Sequence, residues 1–136
     1  MRAPKTAQAA LGFLFVAALL IGLTAAVVPR TFYDDFPFVA HWVELLPPYN
    51  EHLVTDVGGL YLGFAVLFAW AAATLDRTLV RALTVAWLLS ASIHLLFHAG
   101  HLAGFSTADA IAELFTLSLL LAPAPIAVWA IGAGEQ

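Results

Sequence analysis

Four apolar stretches, at about 7–28, 53–74, 79–101 and 109–131, are separated by polar breaks, and each is close to the length that crosses a lipid bilayer. In hydrocarbon every backbone N–H and C=O must be satisfied within its own segment or by a closed sheet, so apolar stretches of this length are helices. Composition agrees. Charged residues make up 10% of the chain and hydrophobic residues 62%, against about 25% charged in a soluble domain. So few charges cannot cover a globule of 136 residues. The expected fold is all-α: one integral membrane domain over residues 1–136, built as a four-helix transmembrane bundle in contact with the lipid bilayer.

The breaks carry their own signals. Met1-Arg2-Ala3-Pro4-Lys5 precedes the first apolar run, and Thr24-Ala25-Ala26 offers small residues where a secretory signal would be cut. The run is longer than the roughly 7–15 residues of a signal core, so it is read as a retained helix closed by Pro29, with cleavage as the alternative. Residues 29–50 are punctuated by Pro29, Pro37, Pro47 and Pro48 and carry Phe32, Tyr33, Phe36, Phe38, Trp42 and Tyr49. They are read as a loop on the membrane surface with a short interfacial helix near 39–46. Ser106 or Thr107 caps the last span, and Pro123 and Pro125 should kink it. Gly59 and Gly63, with Gly58 adjacent, give the second span a face for close approach of a neighbouring helix, a partner protein or a second copy.

Arg2, Lys5, Arg77 and Arg81 flank one end of the spans, and Arg30 alone lies at the other. The positive-inside rule then puts both termini in the cytoplasm and leaves the 29–52 loop outside the cell membrane, capping the bundle. A net charge of −4 gives nucleic acid no basic patch to bind. The absence of cysteine excludes disulfides, thiolate metal sites, iron–sulfur clusters and cysteine nucleophiles.

Ionisable residues gather at that same external end. His52 and Asp56 are four apart on the second span, Asp109 and Glu113 are four apart on the fourth, and His94, His98 and His101 form one stripe on the third. Glu51 stands beside His52. An ionisable group inside a span is costly, so it needs a partner or a function. Imidazole and carboxylate together hold zinc, iron, copper or manganese, and an open metal position activates water or dioxygen. The metal-ligand set is His52, Asp56, His94, His98, His101 and Glu113, with Glu51 and Asp109 secondary and with Asp56 or Glu113 as general base. The structural alternative reads the same residues as ion pairs and helix caps that lock the loop to the bundle.

The segments Phe32-Tyr33-Asp34-Asp35-Phe36-Pro37 and Pro48-Tyr49-Asn50-Glu51-His52-Leu53-Val54-Thr55-Asp56-Val57-Gly58 resemble a group of small four-helix integral membrane proteins of actinobacteria. Those proteins share an FYxxFP loop followed by a PYNEHLxxDVG helix start. The resemblance covers residues 32–58 and implies a membrane protein of a high-GC bacterium in which Tyr49, Asn50, Glu51, His52 and Asp56 act together. It brings no activity with it. Three functional readings follow from the residues: a metal-binding membrane protein acting on a lipid-soluble substrate, a non-enzymatic accessory or scaffold subunit, and b-type haem held between His52 and His94 or His98. Many carboxylates beside the histidines fit a hard or borderline metal better than haem.

Overall fold

The structure is a computed structural model that describes residues 2–133. The terminal residues 1 and 134–136, which belong to the expected cytoplasmic ends, lie outside the described residues. The first helix, α1 (Arg2–Val27), buries Ala7, Leu11, Leu14, Ala18, Gly22 and Ala25. These steps of three and four residues form one stripe. Four of these six are alanine or glycine, while the larger Phe13, Val16, Leu20 and Leu23 lie off the stripe and are exposed. Small residues inside and large apolar residues outside are the pattern of helices packed in lipid, where backbones gain by approaching closely.

The tightest approach is between α1 and α3 (Glu51–Thr74). The two run antiparallel, and each contributes a glycine at the crossing. A Cβ on Gly22 would sit 2.8 Å from the Leu62 backbone nitrogen, and one on Gly58 would collide with the backbone of Ala25 and Ala26. Asn50 starts α3 by accepting the Leu53 N–H at 3.2 Å. Leu75, in the left-handed region at φ 50°, ends it and turns the chain into α4 (Arg77–Ala99), which Asp76 caps through the Leu79 N–H at 2.7 Å.

Proline placement differs from expectation in two places. Pro29 begins a new helix, α2 (Pro29–Asp35). At a first helical position its missing N–H forfeits no hydrogen bond. Pro37 holds Phe36 extended (ψ 137°) and so stops α2. The expected interfacial helix near 39–46 is therefore reduced to one 3-10 turn, Val43–Leu45, with Leu46 extended ahead of Pro47 and Pro48. In the fourth span the expected kink is a full break, giving α5 (Thr107–Leu119) and α6 (Pro123–Ala133). Neither Pro123 nor Pro125 can donate a backbone hydrogen bond to the preceding turn. Helix α4 supplies partners at the break: Trp87 Nε1 donates to the Leu120 carbonyl at 2.8 Å and Thr84 Oγ1 to that of Ala124 at 3.2 Å.

Trp87 is also where the two halves of the bundle meet. The α3 rings of Tyr61, Phe64 and Phe68 lie edge-on to it, with centroids 6.0, 5.3 and 5.2 Å away. Helix α1 packs on both α3 and α6, and α4 packs on α6 and α5. Among the described residues, four segments are long and apolar enough to cross a membrane: Pro4–Val27, Glu51–Thr74, Arg77–Ala99 and the broken helix Thr107–Ala133. The chain thus has the build of a multi-pass membrane protein. Beyond Trp87, towards the end that carries residues 28–50 and 100–106, α3 and α4 part and leave a cavity.

Candidate functional site

That cavity has a volume of about 430 Å³, within the range of small-molecule sites. Its walls are Leu53, Val54, Val57 and Tyr61 of α3, His94, Phe97 and His98 of α4, and Glu113, Thr116 and Leu117 of α5. Ala17, Leu20 and Ile21 of α1 form the back. Phe32 of α2 and the connecting residues Phe36, Pro37, Trp42, Val43 and Leu46 close one end. Leu53, Val57, His94 and Phe97 line the space and are also exposed. The cavity therefore communicates with the surface where α3 and α4 diverge.

One polar group is buried in this apolar wall. Glu113 is 2% exposed and His98 7%, and His98 Nδ1 lies 2.6 Å from Glu113 Oε1. A contact that short between a ring nitrogen and a carboxyl oxygen requires a proton between them. The second carboxyl oxygen, Oε2, is buried and has no hydrogen-bond partner among the described residues. Such an orphan is rare in folded proteins and points to a missing ligand or water. His94, one turn along α4, packs its ring against that of His98, with centroids 4.4 Å apart and the planes tilted by 58°, and also lines the cavity.

The eight residues expected to form one pocket divide into five groups. His94, His98 and Glu113 come together. His52 and Asp56 pair with each other at 3.1 Å, but their side chains are 81% and 60% exposed on the outside of α3. They contribute nothing to the cavity wall. The reason is rotational: Leu53, Val54 and Val57 take the inward face of α3, which turns His52 and Asp56 away. An exposed pair of this kind contributes little, so Asp56→Asn is expected to leave the thermal melt nearly unchanged. Glu51 is exposed and within 3.5 Å of the Tyr49 hydroxyl.

His101 stacks on Phe97 at 4.0 Å and donates from Nδ1 to the Phe97 carbonyl, 2.7 Å away. Asp109 serves the start of α5. Ser106 caps that helix by accepting the Asp109 N–H at 3.1 Å, and Asp109 Oδ2 accepts from the Ser106 hydroxyl at 2.6 Å. Its other oxygen accepts from Trp42 Nε1 at 3.2 Å, tying the 36–46 segment to α5. Among the described residues, no three His, Asp or Glu side chains converge in a group that could hold a metal ion.

Sequence reasoning did not foresee the aromatic wall. Phe32, Phe36, Trp42, Tyr61 and Phe97 all line the cavity, yet in a chain this apolar an aromatic residue carries no mark that separates cavity from lipid. The only available signal was the density of aromatics between Phe32 and Trp42. Comparison of the chain with protein-family models, with curated proteins and with solved structures finds no match.

Proposed function

We propose that this protein binds a lipid-soluble small molecule within the membrane, in the cavity between α3, α4 and α5, with the His98–Glu113 pair anchoring the molecule's polar end. The observation that carries this reading is Glu113, which lines an apolar space of about 430 Å³ and whose Oε2 is buried without a partner among the described residues. Burying an unsatisfied polar atom costs about 1–3 kcal/mol, and a ligand that satisfied it would recover that cost. The opening beside His94 faces the surface of helices long enough to lie in lipid, so the molecule would enter from the bilayer.

The membrane is the cytoplasmic membrane of an actinobacterium on the resemblance at residues 32–58, with the cavity near its external face. Lys5, Arg77 and Arg81 at the opposite end support that orientation. The segment 29–50 would then cap the bundle from outside. A metal-binding version of the same site is the second reading, favoured by the adjacent rings of His94 and His98 beside the buried carboxyl of Glu113. It requires these side chains to rearrange around the ion.

The test is to purify the protein in mild detergent without a polyhistidine tag, then to measure its metals and the hydrophobic compounds extracted with it. An organic compound near one per chain, lost in Glu113→Leu with helical content unchanged, is the expected result. Stoichiometric metal with no organic compound would favour the second reading. A protein with neither, before and after incubation with membrane lipid extract and metal, would overturn both.

A further inference from the structure

The class of ligand follows from charge and hydrogen bonding inside the cavity, given the reading that the cavity is a binding site. No lysine or arginine lines it. A His98–Glu113 pair carrying net charge would therefore be uncompensated in an apolar medium, which is strongly disfavoured. Three arrangements keep the pair neutral: an imidazolium donating to a carboxylate, a carboxylic acid donating from Oε1 to Nδ1, or a neutral imidazole donating from Nδ1 to Oε1 of a carboxylic acid whose proton is on Oε2. In the first two Oε2 is an acceptor and in the third a donor, and in each it is buried and without a partner among the described residues. The missing group must carry no charge and must be able to donate to Oε2 or accept from it. A phosphate or carboxylate head group has no cation to meet here, and an ammonium would itself be left uncompensated. A hydroxyl meets both conditions.

We propose that the cavity takes an uncharged, lipid-soluble hydroxyl compound whose O–H donates to Glu113 Oε2, while its apolar body lies against Phe36, Trp42, Tyr61 and Phe97. A long-chain phenol or hydroquinone and an isoprenoid alcohol share this chemistry. Aromatic walls give a ring favourable edge and face contacts.

The experiment is calorimetric titration of the full-length protein in detergent with four probes: an alkyl hydroquinone, its dimethyl ether, farnesol and farnesoic acid. The hydroquinone or farnesol should bind about tenfold or more tightly than the ether or the acid, the loss expected when a buried acceptor is left without its donor. The tighter of the two hydroxyl probes identifies the source. Glu113→Leu should erase the preference for hydroxyl over ether, and the comparison on the unsubstituted protein stands by itself if that variant does not fold. Equal binding of hydroquinone and ether, or tighter binding of the acid, would overturn the ligand class and leave the cavity as a binding site. No binding of any of the four would overturn the binding reading itself.

Discussion

Trp87→Ala is expected to destabilise the protein by about 3–5 kcal/mol, the range for emptying a large aromatic site in a packed interior. Trp87 is 1% exposed and holds Tyr61, Phe64 and Phe68 of α3 edge-on. It is the ring through which α3 meets α4. Its indole N–H also partners the Leu120 carbonyl at the break between α5 and α6. Alanine therefore leaves a void and an unsatisfied carbonyl in a region without water to repair it. Trp87→Phe separates the two contributions: it restores most of the packing and leaves the carbonyl unpaired, at a cost of about 1–3 kcal/mol. Thermal melts in mild detergent, followed by circular dichroism, read both. A Trp87→Ala melt matching that of the unsubstituted protein would mean that α3 and α4 are held together elsewhere.

Gly58→Ala should lower stability by about 1–3 kcal/mol, the usual cost of overpacking, and Gly58→Leu should prevent the α1–α3 pair from forming. The added Cβ meets backbone atoms of Ala25 and Ala26, which cannot rotate aside as a side chain tip does. Gly59 and Gly63 are the controls. Outside their own turns of helix, neither would place a Cβ within 4 Å of any atom among the described residues, and alanine is the better helix former by up to about 1 kcal/mol. Their alanine variants should melt at or slightly above the temperature of the unsubstituted protein. The same measurement on all three variants checks the contrast, and equal losses at the three positions would contradict the packing described here.

This contrast marks a limit of reading the sequence. Gly58, Gly59 and Gly63 stand together as small residues on one helix, and the Gly59–Gly63 spacing was the obvious close-approach motif. In the fold it is Gly58, with Gly22 of α1, that lets the backbones meet. Which glycine faces α1 depends on a rotation of about 100° per residue, and that rotation is set by the neighbour and not by the helix itself.

The same distinction runs through the site. His94, His98 and Glu113 were marked by sequence because an ionisable group in an apolar stretch has few ordinary explanations. His52 and Asp56 carried the same mark, yet they face outwards and pair only with each other. Spacing places two residues on one face of a helix, but does not say what that face meets. The sequence by itself determined the number and approximate extent of the spans, the helix start near Ser106, and that Pro123 and Pro125 disturb the last span. Hydrocarbon burial and backbone hydrogen bonding are local requirements, satisfied or broken within a few residues. Tertiary structure alone decided that α3 and α4 part beyond Trp87, that residues 32–46 line the space between them, and that one oxygen of Glu113 is left there without a partner. Those outcomes depend on helix rotation and on contacts between residues far apart in the chain, which no local pattern encodes.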